Sequence, residues 1–210
     1  MKLIVQLFCI QFALGITIGL VFVRRLDLLS AFFRNTALVG VGLYSIWGYL
    51  SYPVEPARFW PGALLVLYAI TVRRMPPLIA KVMLLAATYG MSAQIHGEFS
   101  PRVRLSMFLG ASLMGFSLVA MNIGHSYLST VKLPIRPLRI LSGGILGILA
   151  LRLALFAYGV FAEGLGTWSA YFSSMGVEGL SVVAIACARV LFGLLGSSVL
   201  AVMVWKTVEV

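Results

Sequence analysis

Seven runs of about 20 apolar or neutral residues, separated by prolines and short basic stretches, leave this chain few ways to fold. A run of that length makes a helix of roughly 30 Å, the thickness of a bilayer's hydrocarbon core. Lipid accepts only segments whose backbone hydrogen bonds close within themselves, so each run reads as a membrane-spanning helix. Composition agrees: 61% of residues are apolar and 10% charged, against roughly a quarter charged in soluble domains. The expected fold is an all-α polytopic bundle forming one integral membrane domain over 1–210, a multi-pass protein of a cell (inner) membrane.

Proline fixes the boundaries, because it removes a backbone donor and collects at helix ends. Pro53, Pro56, Pro61, Pro76, Pro77, Pro101, Pro134 and Pro137 all fall between or at the edges of apolar runs. The spans are then 3–23, 36–52, 57–73, 77–95, 103–128, 138–161 and 180–205. The first begins after a single lysine and carries no small-residue cleavage site, so it reads as an uncleaved span rather than a signal peptide. The third is the shortest in continuous apolar length, from Trp60 to Val72; if it only dips into the bilayer, the topology downstream inverts.

Charge tests that count independently of hydropathy. Alternate connections carry Arg24, Arg25 and Arg34, then Arg73, Arg74 and Lys81, then Lys132, Arg136 and Arg139; the connections between them carry Arg58, then Arg102 and Arg104, then no basic residue. With Lys2 and Lys206 assigned to their sides, the division is 10 to 4, and Arg152 and Arg189 complete the 16 basic residues. By the positive-inside rule this places the N-terminus outside and the C-terminus in the cytoplasm. The same distribution argues against nucleic acid as a partner, since the net charge of +10 is spread over short loops without interleaved aromatics. Tyr49, Tyr52 and Trp60 on the outer side and Tyr127 and Trp205 on the inner side suit headgroup depth.

Between the sixth and seventh spans, Trp168, Tyr171, Phe172 and Met175 recur at helical spacing, with Thr167 placed as N-cap and Gly176 as stop. This predicts a short interfacial helix near 167–175. Small residues four apart, Gly15 and Gly19, Ala111 and Gly115, Gly143 and Gly147, Gly193 and Ser197, permit close helix packing. Cys9 and Cys187 each lie in a span without a spaced partner and read as small core residues.

The candidate site is set by two arginines. Arg152 lies about 21 Å into the sixth span and Arg189 about 14 Å into the seventh, both near the bilayer midplane. A central arginine opposes insertion by roughly 2.5–3.5 kcal/mol, and no carboxylate falls within the spans to offset it. Backbone carbonyls with waters, an anionic lipid, quinone or haem group, or an acidic residue of another membrane subunit remain as counterparts. The fifth span supplies a facing wall, with His125 and, about 60° away, Asn122 as further ligand-binding candidates.

Met107, Met114, Met121 and His125 share one stripe of that span, a set that would suit Cu(I), although methionines at this spacing also serve as soft filler. Bis-histidine haem is excluded, because His96 and His125 close opposite ends of their spans, roughly 30 Å apart. A haem on His125 alone, with Arg152 near a propionate, is conceivable but not required. Zinc-protease, serine-hydrolase and phosphate-loop motifs are missing from the sequence. The reading is therefore a non-catalytic integral membrane subunit or assembly component of a larger complex, with no catalytic residue and no specific cofactor assigned. The alternatives are a small anion carrier or channel, and a membrane enzyme on a lipid or isoprenoid phosphate with His125 as its only acid–base group.

Overall fold

A computed structural model describes residues 2–23, 30–51, 56–95, 101–129 and 135–173, with side chains of the last helix described as far as Tyr158. Its elements are α1 (Lys2–Phe22), α2 (Ser30–Leu50), a 3₁₀ turn (Pro56–Phe59), α3 (Trp60–Thr71), α4 (Pro77–Ile95), α5 (Pro101–Ser129) and α6 (Arg136–Ser173). Among the described residues there is no strand. Pro61, Pro77, Pro101 and Pro137 each sit in the first turn of a helix, where the missing N–H would have no intrahelical partner and the fixed φ suits the helix.

Three helices contain windows long and apolar enough to cross a membrane: Val5–Phe22 in α1, Val103–Ser126 in α5 and Arg136–Tyr158 in α6. α2 begins at Ser30, earlier than the apolar window at 36, because the helical backbone continues through Arg34 even though hydropathy does not. The third segment is divided into a 3₁₀ turn and a 12-residue helix, together about 26 Å long.

By contacts the chain forms two units, Met1–Gly144 and Ile145–Val210, with the boundary inside α6. In the first, α1 packs most extensively on α5 and then on α2 and α4, while α3 lies against α2 and α4. α1 is consequently buried on every side from Ala13 to Leu20, as expected for a helix that is apolar all round.

Contacts along the helices fix their directions. Gln6 reaches the Leu50 carbonyl and Ile16 lies beside Gly40, so α1 and α2 are antiparallel. Phe59 against Gly48, Gly62 against Tyr44 and Leu65 against Gly40 make α2 antiparallel to α3 through its preceding turn. Trp60 and Pro61 meet Gly90, while the Arg58 carbonyl meets Gln94, which reverses α4 again. Gly15 then lies on Ala111 and Gly115, and Gly19 on Gly115 and Val119, so α1 and α5 run parallel. That relation follows if α2, α3 and α4 each reverse the chain. A third segment that returned to the side it came from would have made α1 and α5 antiparallel.

The α1–α5 crossing explains two of the four small-residue pairs. A Cβ on Gly15 would run into the Ala111 carbonyl oxygen, and one on Gly115 would overlap the Gly15 backbone. Only hydrogen at these positions lets the two backbones touch. Among the described residues a Cβ on Gly147 would meet nothing within 4 Å.

The interfacial helix predicted at 167–175 is overturned. α6 runs unbroken from Arg136 to Ser173, and Thr167 lies inside it rather than capping a new helix. Residues 162–166, AEGLG, contain no proline. Two glycines weaken a helix by about 1 kcal/mol each but keep their N–H donors, so the hydrogen-bond ladder passes through them. At 38 residues α6 is about 57 Å long, nearly twice the hydrocarbon thickness. Trp168, Tyr171 and Phe172 lie in its last turns, and Met175 is outside the described residues. The predicted seventh span, 180–205, and its Gly193 and Ser197 also fall outside them.

Candidate functional site

The predicted site residues are distributed over α5, α6 and the C-terminal stretch. His125 is exposed on the last turns of α5, and Asn122, one turn earlier, is half-buried with its carbonyl accepting from Ser126 Oγ at 2.9 Å. Met107 and Met114 are half-buried and Met121 is 65% exposed. Successive methionines of this stripe are separated by about 10 Å along the helix axis, more than one ion can bridge. Among the described residues no cluster of three or more His, Cys, Asp or Glu could hold a metal. Arg152 is half-buried on α6 and belongs to the second unit. Arg189 lies outside the described residues.

What the structure does assemble is a polar clamp in the first unit that joins α2, the 3₁₀ turn and α4. The Tyr44 hydroxyl donates to the Arg58 carbonyl at 2.6 Å and stands 2.9 Å from Gln94 Oε1. Gln94 Nε2 donates to the same Arg58 carbonyl at 2.6 Å. The carbonyl's two lone pairs are thereby both engaged, and the single phenolic hydrogen faces two acceptors. A second tie, Gln6 Nε2 to the Leu50 carbonyl at 2.6 Å, joins the start of α1 to the end of α2. Deeper in the bundle, Thr88 Oγ1 is 3.2 Å from Thr17 Oγ1, linking α4 to the buried α1.

Glycines seat the aromatic rings around this clamp. Phe59 rests on Gly48, the Tyr44 ring lies where a Cβ on Gly62 would come within 2.6 Å of it, and Trp60 covers Gly90. The Tyr44 ring also lies 5.1 Å from that of Trp47, tilted by 37°. The hydrogen bonds of the clamp run between protein groups, Tyr44, Gln94 and the Arg58 carbonyl. The clamp's chemistry is positional: it holds the 3₁₀ turn and the start of α3 against the bundle.

Sequence reasoning passed over Tyr44 and Gln94. The available signal was a hydroxyl and an amide within apolar helices, where each needs a partner. What no pattern discloses is that both partners are one backbone carbonyl across a loop.

No protein-family model, no curated protein and no solved structure matches this chain.

Proposed function

We propose that the protein is a non-catalytic integral membrane subunit or assembly component of a larger membrane complex, with seven spans, the N-terminus outside and the C-terminus in the cytoplasm. An anionic lipid or cofactor group binds near Arg152 and Arg189 in this reading. The membrane part is supported by the three long apolar helices and by the apolar side chains left exposed on the shorter ones. Leu38, Val39 and Ile46 on α2, Val66, Leu67 and Ile70 on α3, and Leu78, Val82 and Leu85 on α4 all face outward. Apolar surface so distributed suits acyl chains, not water.

The observation that carries the site is the position of Arg152. It lies within the 23-residue apolar stretch Arg136–Tyr158, between the exposed Leu151 and Leu153. A guanidinium at that depth favours an anion, because a planar five-donor group in hydrocarbon gains most from a carboxylate or phosphate held in two-point contact.

The test is native mass spectrometry of the gently solubilised protein and its Arg152→Leu and Arg189→Leu variants. Insertion improves, since each leucine removes an unfavourable contribution of roughly 3 kcal/mol, while a co-purifying lipid, cofactor or subunit is lost. Arg152→Lys rescues poorly because the planar fork is gone. Leucine variants that keep every co-purifying component would refute the arginine site. An anion carrier is the second reading; it requires Arg152→Leu to abolish anion flux through liposomes while leaving subunit association unchanged.

A further inference from the structure

The alternating helix directions gather the chain's charge at one end of the first unit. The C-terminal ends of α1, α3 and α5 and the N-terminal ends of α2, α4 and α6 all lie there, α6 following α5 after a six-residue connection. Arg34 of α2, Lys81 of α4 and Arg139 of α6 each stand within about 6 Å, along the helix axis, of that end. Arg136 opens α6, and Arg73 and Arg74 occupy the tight turn after α3, which is closed by Arg74 and Met75 N–H groups donating to the Thr71 carbonyl. All six cations are exposed. None of the described side chains is acidic, and Asp27, the one acidic residue in the α1–α2 connection, is accompanied in sequence by Arg24 and Arg25.

These cations border apolar surface. Lys81 stands between Leu78, 74% exposed, and Val82, 57% exposed; Arg34 lies one turn from Leu38, 50% exposed; and Arg139 adjoins the exposed Ile140. An acidic soluble protein would meet the charge and leave the apolar rim uncovered. A molecule with an anionic head and acyl chains covers both, with the long basic side chains reaching to headgroup depth.

We propose that this end is a docking surface for anionic phospholipid headgroups, so that the protein gathers anionic lipid around the ends of α2, α4 and α6. The proposal rests on the bundle spanning a membrane and is independent of any ligand at Arg152.

The experiment reconstitutes the full-length protein in phosphatidylcholine vesicles containing a trace of spin-labelled phosphatidylglycerol or phosphatidylcholine, and reads the motionally restricted fraction by electron paramagnetic resonance. At 50 mM salt, phosphatidylglycerol is favoured about fivefold for each cation a headgroup engages. At 1 M salt, where the Debye length is about 3 Å, the preference falls close to unity. The triple variant Arg73→Gln, Arg74→Gln, Lys81→Gln lowers the preference at 50 mM salt, and Lys2→Gln, at the other end of α1, does not. Because loss of basic residues can also alter insertion, the salt titration of the unaltered protein stands as a separate measurement. Equal association of both lipids at low salt, or a preference that survives 1 M salt, overturns the proposal. Absent lipid preference combined with retention of a polyglutamate peptide would assign the surface to an acidic protein instead. Extraction of the protein from vesicles by alkaline carbonate would count against the membrane reading itself, whereas stable incorporation without preference would count against this proposal alone.

Discussion

Gly115 and Gly147 offer the same substitution with opposite structural consequences. In α5, a methyl group on Gly115 overlaps the Gly15 backbone, which cannot rotate away as a side chain would. The two helices must separate, and the surrounding contacts of Gly19 with Val119 loosen with them. Overpacking of this kind costs about 1–3 kcal/mol, and the upper half of that range applies where the obstacle is main chain. Alanine returns about 1 kcal/mol of helix propensity, which leaves a net loss of about 1–2 kcal/mol for Gly115→Ala. In α6, a methyl on Gly147 meets none of the described residues within 4 Å, so Gly147→Ala keeps the propensity gain and is neutral to stabilising by up to about 1 kcal/mol. Unfolding in mixed micelles as a function of SDS mole fraction, followed by far-UV circular dichroism, measures both. Two variants shifted equally, in either direction, would refute the α1–α5 backbone contact.

Three further outcomes follow. Tyr44→Phe and Gln94→Leu each lower stability by about 0.5–1.5 kcal/mol because each removes one of the two donors to the Arg58 carbonyl; a double variant whose loss is the simple sum would show that the two do not share it. A reporter inserted after Gly97 is active only outside and one inserted after Thr130 only in the cytoplasm, and exchanged activities would end the proposed topology. Amide hydrogens from 162 to 170 exchange slowly as one block with the rest of α6, whereas a fast window at 162–166 would restore the break expected between the sixth span and a separate helix at 167–175.

Helix positions were legible because proline acts locally: its effect on the backbone is complete within one turn, so Pro77 and Pro101 mark helix starts whatever packs around them. Glycine is different, since its meaning depends on what stands opposite. Gly164 and Gly166 lie between the expected sixth span and the expected helix at 167–175 and are passed through by α6, while Gly48, Gly62 and Gly90 gave no signal and seat three aromatic rings. Gly15, Gly19, Ala111 and Gly115 were recognisable as surfaces for close approach, but spacing within one helix cannot name its partner. The site was less legible for the same reason. Arg152 is conspicuous by depth alone, whereas Tyr44 and Gln94 become meaningful only when the chain brings the Arg58 carbonyl between them.

The parallel contact of α1 with α5 also sets a clock on biosynthesis. Gly15 and Gly115 are 100 residues apart, so at roughly 5–20 residues per second the ribosome delivers the second about 5–20 s after the first. During that interval the narrow face of α1 formed by Gly15 and Gly19 has no α5 to receive it. A chain stalled after α4 would leave this face uncovered by α5. Arrival of α5 closes the face within its own molecule, so the order of synthesis makes the fifth helix the step that buries the glycine face of α1.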